Sequence, residues 1–259
     1  YAPNHRWPMS WLYRREGRKL LAYEREVAAR SARSFFVTAA EVELFNRLAP
    51  ECSVRVEPVC NGVDADYFAP DENRGSPYSV DETPIVFTGA MDYLPNIDAV
   101  RWFVSDMMPA LLEKRPQLRF YIVGRSPTPE VLALAGENVI VTGTVPDVRP
   151  YLQHAAVVVA PLRIARGIQN KILEAMAMAR PVIASSECAA AVDAEFGTEL
   201  KTATNPTDFV TEIDALLRDP ESCLNIGRAA RRRVIAQYSW EAHLAKIDHY
   251  LPAAQGETS

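Results

Sequence analysis

The sequence has no apolar run of the roughly 18–20 residues that a membrane-spanning helix requires. It also shows no secretory signal at its start, so a cytoplasmic location is expected. Its four cysteines, Cys52, Cys60, Cys188 and Cys223, never fall at C-x-x-C spacing. His5, His154, His243 and His249 complete no H-x-x-x-H or H-E-x-x-H pattern with them. The cysteines are therefore expected as structural thiols, and no metal site is expected. No G-x-G-x-x-G follows an expected strand and no G-x-x-x-x-G-K-[ST] occurs, which argues against a dinucleotide oxidoreductase and a P-loop nucleotidase. With an acidic total and no recognisable binding motif, nucleic acid is not an expected partner.

What is present is a chain of 259 residues, 48% hydrophobic and 24% charged, with net charge −5. That is core enough for one large or two smaller domains. The charge is uneven. Residues 1–35 hold eight basic residues (Arg6, Arg14, Arg15, Arg18, Lys19, Arg25, Arg30, Arg33) against Glu16, Glu24 and Glu26. Subtracting this +5 from the total of −5 leaves −10 for the rest. Interleaved with Trp7, Trp11, Leu12 and Tyr13, the basic start suits peripheral contact with an anionic membrane at the inner face of the plasma membrane. The favoured reading of the same residues is a solvated helix face whose arginine stems cover the core.

Residues 11–31 read as one long helix and SFFVT as a short strand. Thr38 with Glu41 forms a capping box that opens a helix through about Leu48, and VRVEPV reads as the next strand. Asn61-Gly62 signals a turn, and the stretch to Pro84, rich in Asp, Pro, Ser and Gly, signals a linker. From PIVFTGA onward strands and helices alternate: IVFTG, a helix from about Asn96, RFYIVG, a short helix, NVIVTG, a helix from about Asp147, VVVAP, a further helix and PVIAS. That order predicts an α/β fold built on a doubly wound parallel sheet. Gly89, Gly124-Arg125, Gly143 to Val145 and Pro161 to Gly167 should then converge on one crevice at the carboxyl ends of the strands. Beyond Thr207 the pattern is helical, with Ser239 capping a last helix to about Leu251, and the basic run Arg228, Arg231, Arg232, Arg233 reads as a solvated face.

The densest segment is Arg166 to Ser185, within ARGIQNKILEAMAMARPVIAS. At 100° per residue, Gly167, Asn170, Lys171 and Glu174 share one side of a helix, while Ile172, Leu173 and Met176 share the other. Gly167 permits close approach to the backbone, and the amides of Ile168, Gln169 and Asn170 would point from the first turn at an anion. Lys171 adds a charge there, and Glu174, one turn deeper, suits a pair of sugar hydroxyls. Each such charged hydrogen bond contributes about 1.5–3 kcal/mol. As a solvated helix pair the same two residues would contribute only about 0.2–0.5 kcal/mol.

Glu174-Ala175-Met176-Ala177 followed by Pro181-Val182-Ile183-Ala184 resembles the signature of the retaining glycosyltransferases of the GT-B fold, family 4 (group 1). FTGAMDYLPN, FYIVGRSP and VTGTVPDV match that family's nucleotide domain, and CNGVDADYFAP matches its interdomain phrase. More narrowly, RWPMSWLYRREGRKLLAYERE with FTGAMDYLPNIDAV resembles the bacterial sugar transferases associated with exosortase and extracellular-polysaccharide systems. Three positions depart from the pattern: Arg166 stands where the family has a first Glu, and Ala90 and Asn96 stand where it often has Arg and Lys.

The resemblance implies that residues 1–64 are the end of an N-terminal acceptor domain, 65–83 a linker and 84–238 a Rossmann-like nucleotide-sugar domain. A C-terminal helix (239–253) and a flexible tail (254–259) would follow. The chain would then be a fragment with little or no activity of its own. The resemblance also implies transfer of a hexose from a nucleotide diphosphate sugar, with retained configuration, to a glycan or lipid-linked acceptor. No other cofactor is implied. The donor site would comprise Gly89, Arg125, Val145, Arg163, Gly167, Ile168, Gln169, Asn170, Lys171 and Glu174. Arg166 and Lys171 would be the catalytic cations that neutralise the leaving diphosphate, Glu174 would hold the ribose and the backbone near Val145 the base. A nucleotide-sugar epimerase or hydrolase of the same fold, or a non-catalytic nucleotide-binding subunit, would share much of this site.

Overall fold

The computed structural model describes residues 7–164, 167–248 and 250, with the side chains of 246–248 left aside. The chain divides into two compact units, Tyr1–Cys60 with Lys246–Ser259, and Asn61–Ala245. The first unit carries α1 (Met9–Arg30), β1 (Ser34–Phe36), α2 (Ala39–Leu48), a 3-10 segment (Pro50–Arg55) and β2 (Val56–Pro58). β1 and β2 pair in parallel, Ser34 opposite Val56. The capping box of α2 is formed: Thr38 Oγ1 accepts from the Glu41 amide at 3.2 Å, and the Glu41 carboxylate accepts from the Thr38 amide at 3.1 Å. A small core of Ala28, Phe45, Ala49, Cys52 and Val56 holds the unit. Of the 22 residues of α1 only Ala28 is buried, and residues 11–20 are all exposed. Their arginine stems therefore do not cover a core. Arg25 instead bonds Glu51 at 2.6 Å.

The second unit contains β3 (Thr83–Thr88), α3 (Leu94–Trp102), a π-helical turn (Phe103–Met107), α4 (Met108–Lys114), β4 (Leu118–Val123), α5 (Pro129–Leu132), β5 (Val139–Gly143), α6 (Arg149–Gln153) and β6 (Val157–Ala160). Then follow α7 (Asn170–Ala177), β7 (Val182–Ser185), α8 (Ser186–Ala189), β8 (Lys201–Ala203), α9 (Pro206–Arg218), α10 (Pro220–Gln237) and α11 (Trp240–Asp248). The six strands lie in the order β5-β4-β3-β6-β7-β8, all parallel. This is the expected doubly wound sheet. Its central strands are mostly apolar, with Ile85, Val86, Phe87, Phe120, Ile122, Val157 and Ile183 all fully buried, because helices cover both faces. The π turn between α3 and α4 precedes Pro109, which has no N–H to bond the Ser105 carbonyl four residues back.

Several local expectations differ from what is found. Asn61-Gly62 forms no turn. Gly62 packs against Trp240, where an added Cβ would lie 3.0 Å from the ring, and the Val63 amide bonds the Tyr238 carbonyl at 2.7 Å. The turn comes at residues 65–68, where the Asp64 carboxylate accepts from the Tyr67 amide at 2.7 Å. The division falls after Cys60 rather than at 64, and residues 65–83 pack within the second unit. There Asp71 exchanges backbone bonds with the Gln153 side chain at 3.0 and 2.7 Å, and Tyr78 Oη donates to the Tyr151 carbonyl at 2.7 Å.

The basic run near residue 230 is not simply solvated. Arg231 donates to the carbonyls of Phe68 and Ala177, the latter at the end of α7, and Arg233 pairs with Glu199 at 2.8 Å. Ser239 caps α11 as expected, its hydroxyl accepting from the Ala242 amide at 3.2 Å. The helix is described only to Asp248, and the expected tail 254–259 lies outside the described residues.

Candidate functional site

β3 leads to β4 on one side of the sheet and β6 leads to β7 on the other, so the winding reverses between β3 and β6. Carboxyl ends of strands at such a reversal leave a crevice, because the connecting loops diverge. A cleft of about 620 Å³ opens there. After β3 it is lined by Thr88, Gly89 and Ala90, after β4 by Gly124 and Arg125, and after β5 by Thr144, Val145 and Val148. The approach to α7 contributes Ile168 and Gln169, α7 itself Asn170, Lys171 and Glu174, and Asn61 closes the rim by donating to Asn170 Oδ1 at 3.1 Å.

Two glycines make this floor possible. Gly89 has φ +155°, and a Cβ there would lie 2.7 Å from Asn96 Nδ2 and 3.0 Å from Lys171 Nζ. Gly124 has φ +158°, and a Cβ there would collide with the Gly89 carbonyl. Only residues without a side chain let the ends of β3 and β4 approach this closely.

Lys171 reaches across this floor. Its Nζ donates to Asn96 Oδ1 at 2.6 Å and lies 4.0 Å from the Phe87 ring centroid. Burial pushes its pKa down to about 7, against the opposing pull of Cys188 and Glu174. Burial also raises the Glu174 carboxyl, partly offset by Lys171, and pushes the Cys188 thiol up to about 12. Thr88 is buried, and its hydroxyl finds no hydrogen-bond partner among the described residues. An unpaired buried hydroxyl is costly unless something binds it. The cleft thus offers a cation, a carboxyl and two glycine-floored loops to one ligand.

Of the residues expected at the site, Gly89, Arg125, Val145, Ile168, Gln169, Asn170, Lys171 and Glu174 line this one cleft. Arg163 does not. It forms a two-point ion pair with Asp98, Nε to Oδ2 at 3.0 Å, and stacks over Trp102. Arg166 lies outside the described residues. α7 begins at Asn170, three residues later than expected, so Gly167 (φ +66°), Ile168 and Gln169 form an approach to the helix and not its first turn. Sequence reasoning placed Thr144 in the crevice, within Gly143 to Val145, but missed Asn61, Thr88 and Val148 as cleft residues, and Asn96 as the partner of Lys171. Asn61 was hidden in a dipeptide that ordinarily signals a turn, and Thr88 reads as one more strand residue.

Residues 82–219 match the Glycosyl transferases group 1 family, just over half of the chain. The chain belongs to that family. The matched span runs from the residue before β3 to the residue after α9, so it contains all of the cleft except Asn61. No curated protein matches the group 1 chain. Among solved structures, HepE of Anabaena in complex with UDP and glucose aligns with TM-score 0.72 at 14% identity, over 90% of this chain and 66% of that one. Sucrose-phosphate synthase of Thermosynechococcus elongatus aligns with TM-score 0.69 at 21% identity, over 89% and 60%. The C-terminal domain of the group 1 family protein LpcC from Francisella tularensis aligns with TM-score 0.53 at 19% identity, over 69% of this chain and 100% of that one. At these identities the likeness shows the GT-B-type fold. The group 1 chain spans about two thirds or less of the two longer relatives.

Proposed function

We propose that the chain supplies the donor-binding half of a retaining glycosyltransferase that moves a hexose from a nucleotide diphosphate sugar to a glycan or lipid-linked acceptor. The observation that carries this reading is the convergence of Arg125, Lys171 and Glu174 over the Gly89 and Gly124 floor on one cleft at the reversal point of the sheet. The diphosphate sits over Gly89 and Gly124, where the backbone is accessible. The N-terminus of α7, Lys171 and Arg125 then stabilise the negative charge that grows on the leaving group. Glu174 accepts from the ribose hydroxyls, and the backbone around Val145 holds the base. The nucleotide sugar is a co-substrate, and no further cofactor is invoked. UDP is supported as the nucleotide by its presence in the HepE structure of the same fold.

The acceptor, by this reading, belongs to extracellular polysaccharide synthesis, as the resemblance to exosortase-associated transferases implies. α1 supports a cytoplasmic position at an anionic membrane surface, since Trp7, Trp11 and Tyr23 are exposed beside Arg14, Arg15 and Lys19. Among the described residues no helix is long and apolar enough to cross a membrane.

Calorimetric titration of the chain with UDP, GDP, ADP and their sugar conjugates tests the donor site. One nucleotide should saturate, and Glu174→Ala or Lys171→Ala should each weaken it by about 1.5–3 kcal/mol. Equal affinity in parent and both variants would place nucleotide elsewhere and remove the assignment.

A further inference from the structure

Lys171 is a basic side chain held where a positive charge is poorly supported. Its Nζ touches the amide oxygen of Asn96 and the face of Phe87, both neutral. Asn96 is 5% exposed, and its Nδ2 donates to the Ala90 carbonyl at 2.8 Å, which fixes the amide so that its oxygen faces Lys171. The other elements around Nζ add little anionic support. α8 offers Cys188, whose thiol stays protonated at neutral pH, and α7 offers Glu174, whose pull on Lys171 is outweighed by the effect of burial. Across the cleft stands a second cation, Arg125. Before a ligand adds its charge, Lys171 is therefore an amine that gives up its proton near pH 7. A diphosphate placed on the same floor would supply the missing counter-charge and favour the ammonium.

We propose that Asn96 is the positioning residue for Lys171, and that the pair couples donor binding to proton uptake. Nζ takes one proton from solvent as the diphosphate enters, and Asn96 holds the resulting ammonium against it. This rests on the reading of the cleft as a donor site. Its consequence is specific: affinity for a nucleotide sugar is nearly constant below about pH 7 and falls by up to about tenfold per pH unit above it.

The test is calorimetry of the chain with UDP-glucose, ADP-glucose and GDP-mannose, whose diphosphates do not titrate between pH 6 and pH 9. Each titration is repeated in buffers of different ionisation enthalpy. The expected result is uptake of close to one proton at pH 8 and almost none at pH 6. Lys171→Met should bind more weakly with no uptake at either pH. Asn96→Asp, which puts a carboxylate beside the amine and keeps it charged before ligand binds, should still saturate but show little uptake at pH 8. A merely structural Asn96 would leave the proton count of that variant at one, and that result removes its positioning role. Saturable binding to the parent with the same affinity at pH 6 and pH 9 overturns the coupling while leaving the donor site standing. Failure of all three nucleotide sugars to bind at millimolar concentration overturns both.

Discussion

The central sheet and α1 use apolar residues in opposite ways. In the sheet, β3, β4, β6 and β7 are apolar on both faces, and their side chains disappear under helices. In α1, Leu20 and Tyr23 are 57% and 65% exposed, and the helix touches its small core chiefly through Ala28 and Leu21. The sheet's apolar content is therefore used for stability, and that rigidity places the loop ends that form the cleft. The apolar content of α1 adds little to folding within the described residues and is available for contact.

That contrast is broken most strongly in β3. Phe87→Ala removes a fully buried ring that also lies beneath Lys171, and it should cost about 3–5 kcal/mol in urea denaturation. Gly124→Ala comes next. It should destabilise by about 2–3 kcal/mol, because the new Cβ meets the Gly89 carbonyl and the backbone angle disfavours any side chain. Unlike Phe87→Ala it acts at the cleft floor, so nucleotide binding should fall further than stability does. Binding preserved in a folded Gly124→Ala chain would argue against a ligand lying over these two glycines.

A pH series reads the same region without any ligand. The folded-state pKa of Lys171 is depressed from the ordinary lysine value to about 7, so between about pH 7 and pH 10 the unfolded chain binds the extra proton. The contribution of Lys171 to stability rises with pH across that window, with a limiting slope of about 1.4 kcal/mol per pH unit, opposed above about pH 9 by the Cys188 thiol, whose folded-state pKa is raised. Below pH 7 the amine is charged in both states and the destabilisation is at its full, constant value. Lys171→Met should flatten the rise, giving a chain more stable than the parent at pH 6.5 and closer to it at pH 9. Denaturation midpoints that run in parallel for the two chains would show that the amine is not desolvated.

The sheet was legible because its strands carry their signal locally: IVF, FYIV, VVVA and VIAS are short apolar runs separated by helical pattern, and nothing remote alters that. β8 escaped notice because Lys201–Ala203 is short and half polar, and only pairing with β7 makes it a strand. The site was legible to the extent that it lies along α7, where Lys171 and Glu174 announce themselves by spacing. It was illegible where partners are distant in sequence. Nothing local says that Lys171 will choose Asn96, 75 residues away, or that Arg163 will be claimed by Asp98, 65 residues away. The start of α7 was misjudged because Gly167 suits a helix entry by type, whereas Gln169 is where the chain turns into the helix.

The smallest effect on stability is expected in α1, and there a small effect is the informative one. Replacing Trp11 and Tyr23 together by alanine should change stability by less than about 0.5 kcal/mol for each residue, since both are more than half exposed and neither belongs to the core of the first unit. The same double variant should lose most of its binding to vesicles containing anionic lipid, because aromatic rings at the headgroup level and the neighbouring arginines act together. Raising the salt concentration should weaken the parent's binding in the same assay, as screening of Arg14, Arg15 and Lys19 demands. If the double variant instead unfolds early, the face is covered in solution and α1 resembles the sheet after all. If it stays folded and still binds vesicles as the parent does, the exposed aromatics of α1 serve some other surface, and the membrane contact proposed for this unit falls.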